Sequence, residues 1–365
     1  MCHYAYEALM PLKRLQLKNF RLFQDNLFTF SDRTNLILGE NGSGKTSILE
    51  SISILFLGTS FRTKETKECI NTSKNSFSIT GKGTLDNKEL DLSVNNGLNI
   101  RINSYRKIEG APVKKEDLYF LQIVMAKNLR MIDGEPEIRR DYFHELMFHV
   151  KPATKKLYND YQRALKQRNK CLKQKLAKSE LSIWSQKLAE LGLELSLEQY
   201  SFFQSFKKYN IQSIDEIVKS GKFNFLDNFN VTFSKGWERS KKLQESFGDS
   251  LDKDKAIGYT SKGPHRMDIT FQVNNKKAAS NLSRGQLKIL ILLIFLINIK
   301  LIKKITQRET LLMIDDLGSE LDVKNLRSLI EQIILSENQI VLTGIEGEEM
   351  HQSIKKLTNF TQINL

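Results

Sequence analysis

Apolar and polar positions near the start of the chain predict a strand, a tight loop and a helix in direct succession. Strand-like apolar runs lie between Leu12 and Phe30, and a further short run ends at Gly39. From Lys45 to Leu57 the apolar residues recur at the spacing of a helix. The segment between Gly39 and Lys45 is rich in glycine, so it is expected to form the loop that joins the strand to the helix.

Farther along the chain the pattern changes twice. Residues 77–102 contain short strand-like runs, with an Asn-Asn-Gly turn expected at 95–97. Helical spacing rich in Lys, Gln, Glu and Leu dominates from Pro136 to about Phe247. Short strand-like runs return after Ile257. The order predicts an α/β body that is interrupted by a helical insert and then resumes.

The most apolar segment of the chain is Ile289–Ile302. It is shorter than the about 20 residues that a membrane span needs, and Lys300 interrupts it, so we expect a helix buried on all sides. Strands are expected at Thr310–Ile314 and Gln339–Leu342. The predicted organisation is an upstream extension at 1–9, an α/β lobe formed by 10–115 and 255–365, and a helical lobe at 116–254.

Charge adds a first indication of function. The 365 residues include 56 Lys and Arg against 42 Asp and Glu, a formal net charge of +14. This surplus favours a polyanionic partner, either nucleic acid or an acidic membrane surface; a solvated basic surface without such a partner is the alternative. Cys2, Cys69 and Cys171 lie far apart and show neither zinc-site spacing nor a disulfide framework, so a reducing cytoplasm is the expected compartment.

A phosphate-binding loop is the most specific motif in the chain. Its residues are Gly39, Glu40, Asn41, Gly42, Ser43, Gly44, Lys45 and Thr46. Glycines allow a tight turn whose backbone N–H groups point at phosphate oxygens, and the following helix presents its positive end to the same anion. Lys45 can reach the β and γ phosphates of ATP, and the Thr46 hydroxyl can bind Mg²⁺. A glycine turn with a chance lysine is disfavoured because the motif lies between a predicted strand and a predicted helix.

Two further motifs complete a nucleotide site. The apolar strand at Leu311–Ile314 delivers Asp315 and Asp316 at its carboxyl end, where ligands bind in open α/β sheets. Asp315 would hold Mg²⁺ and Asp316 would polarise the attacking water; an N-cap is the alternative reading of the pair taken alone. Ser283, Gly285 and Gln286 open the long apolar helix, whose N-terminus could bind a phosphate.

The order of these motifs is similar to that of an ABC-type ATPase head, and their details resemble the RecF family, the recombination-mediator branch of the SMC-like ATPases. The resemblance rests on LQLKNFR at Leu15–Arg21, GENGSGKTSILESI from Gly39, LGTSFRT at Leu57–Thr63, Arg139-Arg140, GPHR at Gly263–Arg266, LSRGQ from Leu282 and IDDLGSELD from Ile314. The long coiled coil of other SMC proteins is missing. The resemblance implies an SMC-like P-loop ATPase head with a mainly helical inserted lobe.

The family resemblance also implies a mechanism. Ser283 and Gly285 of one chain would contact the nucleotide held by the other chain of a head-to-tail homodimer, and Asp322 would lie in the loop that communicates across the dimer. Arg21 would contact the nucleotide, and Thr343 would serve as the switch residue. The implied activity is slow, DNA-stimulated hydrolysis of ATP, which agrees with Asp316 standing where faster enzymes carry glutamate. The implied partners are DNA at single-strand/duplex gaps, RecR, RecO and RecA, in the cytoplasm at the nucleoid.

The sequence departs from the family pattern in three places. Met125–Asn128 occupies the position of an acidic Ser-Pro-Glu-Asp loop and lacks both acids. Met267 replaces an acid after the histidine-arginine pair, although Asp268 remains. In the switch segment Gly344 follows Thr343, where a second threonine is common. These differences keep open the alternative of a non-hydrolysing, ATP-gated DNA clamp.

A basic helix is the candidate DNA contact. Lys151–Glu180 contains ten Lys or Arg and two acids. On a helical wheel one apolar stripe comprises Leu157, Tyr161, Leu165, Leu172 and Leu176, and the opposite side carries Arg163, Lys166, Lys170, Lys173 and Lys178. Such contacts bind phosphates without reading bases; a solvated helix face is the alternative.

A membrane-transporter subunit is disfavoured because we find no glutamine loop and no switch histidine, so no membrane partner is expected.

Overall fold

The computed structural model describes residues 11–98, 102–114, 118–125, 128, 130–318 and 321–365. The extension predicted at 1–9 lies outside the described residues. The chain divides into two compact units, unit 1 formed by Met1–Leu129 and Gln307–Leu365, and unit 2 formed by Arg130–Thr306.

Unit 1 begins with β1 (Arg14–Phe20), β2 (Phe23–Thr29), β3 (Thr34–Leu38), α1 (Lys45–Leu57), β4 (Ser76–Leu85), β5 (Lys88–Gly97), β6 (Asn103–Ile108), β7 (Ala111–Pro112) and β8 (Phe120–Val124). Unit 2 contains α2 (Pro136–Val150), α3 (Ala153–Gln174), α4 (Lys178–Lys219), β9 (Phe229–Ser234), α5 (Leu243–Asp249), α6 (Leu251–Ile257), β10 (Asp268–Val273), β11 (Lys276–Lys277), α7 (Ala278–Asn281) and α8 (Arg284–Thr306). Unit 1 then resumes with β12 (Thr310–Ile314), α9 (Val323–Ile334), β13 (Gln339–Gly344), α10 (Glu349–Leu357) and β14 (Phe360–Asn364).

A parallel sheet in unit 1 positions the predicted nucleotide motifs. Its strand order is β14-β3-β13-β12-β8, and every neighbouring pair is parallel. Strands β3, β12 and β13 are buried at every position, as expected for a parallel sheet covered on both faces. Because the strands are parallel, their carboxyl ends meet at one edge of the sheet. Gly39, Asp315 and Thr343 therefore lie at the same edge.

An antiparallel sheet completes unit 1, in the order β2-β1-β4-β5-β6-β7. Alternate residues of β1 and β4 are buried, which gives the sheet one apolar face. Helix α1 packs against this sheet and against the parallel one. Their joint core includes Leu17, Ile48, Ile52, Leu55 and Ile79. Helix α1 is buried on nearly all sides because it lies between the two sheets.

The structure differs from the sequence interpretation at two places in unit 1. Strand β5 runs through Gly97, so the turn expected at 95–97 is wrong; the β4–β5 turn is formed by Asp86 and Asn87, both with positive φ. Strand β8 lies within the range 116–254 that was expected to be helical, and it pairs with β12 at the edge of the parallel sheet. Phe120, Leu121 and Val124 are buried there, as expected for apolar β-forming side chains in a parallel sheet.

Unit 2 is mainly helical, with a small sheet in the order β11-β10-β9. Its longest helix is α4, with 42 residues. Helix α8 is the one described helix that is long and apolar enough to cross a membrane, but 83% of its most apolar window is buried in the protein. It packs against α2 and α4. Residues 255–306 therefore belong to unit 2, whereas the sequence interpretation assigned them to the α/β lobe.

Candidate nucleotide-binding site

The phosphate-binding loop has the backbone geometry that its glycines allow. Gly42 and Gly44 have φ angles of 87° and 106°, in the left-handed region that disfavours other residues. A Cβ added to Gly44 would lie 2.8 Å from the Phe23 ring, whereas one added to Gly42 would meet nothing within 4 Å. Helix α1 begins at Lys45. The loop therefore opens on its Gly42 side, next to the positive end of the helix.

The polar groups of the loop are arranged around its interior. The Lys45 amine donates hydrogen bonds to the carbonyl oxygens of Gly39 at 2.5 Å and Glu40 at 2.8 Å. The Ser43 hydroxyl is buried and has no hydrogen-bond partner in the part of the chain that the structure describes. A buried hydroxyl without a partner is uncommon in proteins. A phosphate oxygen would supply the missing partner, so the loop fits the group that its motif predicts.

Three oxygen-bearing side chains meet at the carboxyl edge of the parallel sheet. The Thr46 hydroxyl donates to one carboxylate oxygen of Asp315 at 2.9 Å, and the Thr343 hydroxyl donates to the other at 2.6 Å. The Asp316 N–H in turn donates to the Thr343 hydroxyl at 3.0 Å, and Asp316 has a φ of 54°. A carboxylate beside a hydroxyl is an oxygen ligand set suited to Mg²⁺ together with substrate phosphates.

Two cavities adjoin the loop. One, of about 660 Å³, has Arg21 and Arg62 in its lining together with loop residues, namely Asn41, Gly42, Gly44, Lys45 and Thr46. The other, of about 710 Å³, is lined by Asp315, Asp316 and Thr343. Asn41, Lys45 and Thr46 line both cavities. The phosphate-binding loop therefore separates a basic chamber from an acidic one.

A buried carboxylate organises the basic chamber. The Glu50 side chain on α1 is fully buried and accepts two hydrogen bonds from the Arg21 guanidinium, at 2.7 and 2.9 Å. The Ser60 hydroxyl donates to Glu50 at 2.6 Å and accepts the Arg62 N–H. The Arg62 guanidinium lies 3.7 Å from Glu50. Burial alone would raise the pKa of Glu50, but hydrogen bonds from Arg21 and Ser60 hold it below its ordinary value. Glu50 was not predicted from the sequence, although an acid among the apolar positions of a helix is a signal for a paired charge.

The serine-bearing motif belongs to unit 2 and forms a capping box. The Gln286 side chain accepts a hydrogen bond from the Ser283 N–H at 2.9 Å, and the Ser283 hydroxyl accepts one from the Gln286 N–H at 3.3 Å. Ser283 is exposed and Gly285 is half-buried. Both residues are accessible to a second molecule, as a contact in trans requires.

Other residues that the sequence analysis singled out have hydrogen-bond partners in their own unit. Asp322 caps α9, and bonds from Asn325 lower its pKa; Ser319 and Glu320 lie outside the described residues. Met125 and Asn128 hydrogen-bond to each other through two contacts, while Ala126 and Lys127 between them are not described. Asp268 forms a bidentate ion pair with Arg139 at 2.8 and 3.0 Å.

The predicted DNA-contacting residues lie on the exposed side of α3. They are Arg163, Lys166, Lys170 and Lys173. Arg163 has an exposed ion pair with Asp160 at 3.2 Å. Of the predicted apolar stripe Tyr161, Leu165 and Leu172 are buried, Leu157 is half-buried, and Leu176 is exposed beyond the end of the helix. Arg168 counts toward the basic surplus, but it is fully buried in an ion pair with Asp254 at 2.9 Å, so it cannot contact DNA.

The fold and site are those of an ABC-type P-loop ATPase head of the SMC-like class. Its defining features are the parallel sheet, the phosphate-binding loop and the two aspartates that follow β12. A family model for the RecF/RecN/SMC N terminal domain matches residues 11–364. The head of an Smc protein, solved with the C-winged helix domain of ScpA, is similar with a TM-score of 0.53 and 14% identity over 94% of this chain and 91% of that one.

Closer relatives narrow the class. The DNA replication and repair protein RecF of Teredinibacter turnerae is 33% identical over 93% of this chain and 90% of its own length. The solved structure of the recombination mediator protein RecF-ATPrS in the RecFOR pathway superposes with a TM-score of 0.79 at 22% identity, covering 98% of this chain and 96% of that one. The chain belongs to the RecF family.

Proposed function

We propose that this chain is an ATP-dependent DNA-binding repair protein that hydrolyses ATP slowly between two copies arranged head to tail. The proposal rests on the hydrogen bonds of Thr46 and Thr343 to the two oxygens of Asp315. These bonds join the phosphate-binding loop to the aspartate that follows β12 and to the end of β13. Membership of the RecF family supports the role in DNA replication and repair.

The chain's own groups divide the work of hydrolysis. Backbone N–H groups of the loop and the Lys45 amine bind the β and γ phosphates. Thr46 and Asp315 would hold Mg²⁺, which would neutralise charge on the phosphates. Thr343 fixes both the Asp315 carboxylate and the Asp316 backbone. Asp316 accepts a hydrogen bond from the attacking water and orients it.

Closure of the site by a second copy would complete it. Ser283 and Gly285 of the partner copy would bind the γ-phosphate with the N-terminus of α8. Asp322 would link the two copies through the end of α9. Arg21 in the basic chamber would contact the part of the nucleotide that extends beyond the loop.

DNA would bind the exposed row on α3, comprising Arg163, Lys166, Lys170 and Lys173. Lysine and arginine contacts to phosphates carry no sequence information, so this row would bind DNA irrespective of its sequence. The family resemblance adds the preferred site, the single-strand/duplex junction at a gap. The family resemblance adds RecR, RecO and RecA as functional partners. A non-hydrolysing clamp is the second candidate, favoured by the Met125–Asn128 loop, which lacks acids.

Phosphate release with gapped DNA tests the proposal. We expect release by the wild type to require ATP and to fall at least about 10-fold in Asp316→Asn, since general-base and water-orienting groups contribute on the order of 100-fold or more, while ATP binding persists. Glu89→Gln, an exposed acid on β5, is the control and should match the wild type. Equal release by wild type and Asp316→Asn would reject the assigned role. ATP binding without any release by the wild type would favour the clamp.

A further inference from the structure

The segment that follows α6 is fixed to the basic helix α3 by buried polar contacts. Arg168 donates hydrogen bonds to Asp254 at 2.9 Å and to the Thr260 hydroxyl at 2.6 Å. The Asn169 side chain accepts bonds from both the N–H and the hydroxyl of Thr260. Arg168, Asp254 and Thr260 are all buried. Residues around Thr260 are therefore held against one side of α3.

A second contact fixes the far end of the same segment. The Tyr161 hydroxyl lies 2.6 Å from Nδ1 of His265, whose Nε2 lies 3.0 Å from the Thr260 carbonyl oxygen. Gly258 lies beside Lys173, since a Cβ added to Gly258 would lie 3.1 Å from the Lys173 Cγ. The segment from Gly258 to His265 is thus anchored to α3 at both ends, beside the row of exposed lysines.

The segment carries one exposed aromatic ring, that of Tyr259. Tyr259 lies between Gly258 and the buried Thr260, yet it is 43% exposed. The Arg266 guanidinium, itself exposed, lies over the ring at 5.3 Å from its centroid. Within the described chain neither Lys166, Lys170 nor Lys173 forms an ion pair. An exposed ring paired with a guanidinium therefore adjoins uncompensated positive charge.

We infer that Tyr259 and Arg266 form a stacking site for an unpaired base of DNA whose phosphates lie along Lys166, Lys170 and Lys173. Aromatic rings and guanidinium planes stack on bases of any sequence, but only on bases released from the duplex. The lysine row neutralises phosphates in single-stranded and duplex DNA alike. The inference rests on the proposed function and deepens it, because the ring would supply the preference for a single-strand/duplex junction that the lysines cannot supply.

Binding of the full-length protein to DNAs of one sequence tests the inference. Fluorescence anisotropy would give the Kd, with ATP present, for single-stranded DNA, a full duplex and a gapped duplex. Tyr259→Leu should weaken binding to single-stranded and gapped DNA by about 5- to 150-fold, the range for loss of one stacked base, and leave duplex binding within about twofold. Tyr259→Phe keeps the ring and should bind like the wild type. Tyr200→Leu removes another exposed ring, 53% accessible, and is the matched control.

Heparin, a polyanion without bases, separates stacking from charge. Its affinity should be the same for wild type and Tyr259→Leu. Equal losses on duplex, single strand and heparin would overturn the stacking role, and so would wild-type affinity of Tyr259→Leu for all three DNAs. If the wild type binds none of the DNAs, the proposed function itself fails and this inference fails with it. Equal loss in Tyr259→Phe and Tyr259→Leu would also overturn it, because the ring would then be irrelevant.

Discussion

Replacing Arg168 by methionine should destabilise unit 2 strongly. The side chains of Arg168 and Asp254 are both completely buried, and their charged groups are 2.9 Å apart. Removing one partner of such a pair costs about 3–5 kcal/mol because the other charge stays buried. Asp254 keeps bonds from the N–H and hydroxyl of Ser261, so we expect about 3–4 kcal/mol. Both single changes remove the same ion pair, so the double replacement with Asp254→Asn should cost about 2–3 kcal/mol less than the sum of the two single changes.

Tryptophan fluorescence reports this change selectively. Both tryptophans of the chain, Trp184 and Trp237, lie in unit 2. Urea unfolding followed at their emission would give the free energy of unfolding of that unit for the wild type, both single variants and the double variant. Lys166→Met, on the exposed side of the same helix, should lie within about 0.5 kcal/mol of the wild type. A loss below about 1 kcal/mol for Arg168→Met, or simple additivity in the double variant, would refute the reasoning.

Three further predictions concern buried charge, acid sensitivity and DNA. Glu50→Gln should lower the free energy of unfolding by about 2–3 kcal/mol, since its Arg21 partner is mostly buried, whereas the exposed Glu68→Gln should change it by at most about 0.5 kcal/mol. Because the folded pKa of Glu50 is lowered, its contribution is present above about pH 4.5 and is lost as the pH falls through the folded pKa; urea titrations across that range should show a flatter acid limb in Glu50→Gln. Burial lowers the pKa of His144 and of His265 to about 4. Between about pH 6.5 and 4 the unfolded chain therefore binds more protons than the folded one. As the pH falls through this window, the free energy of unfolding should decrease by about 3 kcal/mol for each histidine. Reduced acid loss in His144→Gln would agree, and an unchanged pH profile would contradict it. Reversing Arg163, Lys166 and Lys170 to Glu should weaken binding to all DNAs and reduce its salt dependence; unchanged affinity in the presence of ATP would reject α3 as the contact.

Local motifs could be predicted from the sequence more reliably than tertiary partners. Helix α1 has the predicted bounds, Lys45 to Leu57, because the loop glycines and the apolar period both mark its ends. The family resemblance and the fold class are confirmed by the relatives and the family model. The partners of Glu50 could not be predicted because they lie on segments distant in sequence.

A count of charged residues also could not predict which individual charged residues are buried. Arg168 falls on the same side of α3 as Tyr161 and Leu172, and this position is the signal that marks it as buried. Helix α8 was expected to be buried on all sides, but an apolar surface around the whole helix does not indicate which elements cover it. For that reason residues 255–306 could be assigned to a unit only from the structure.

The molar mass of the protein in solution, with and without ATP, tests most directly whether two copies share one nucleotide. Light scattering of the full-length protein would be measured with and without ATP and Mg²⁺, for the wild type, Ser283→Arg and the neighbouring exposed Ser280→Arg as the matched control. We predict an ATP-dependent dimer for the wild type and Ser280→Arg, and a monomer that still binds ATP for Ser283→Arg. A wild type that stays monomeric with ATP bound, or a Ser283→Arg variant that dimerises as the wild type does, would contradict the shared site.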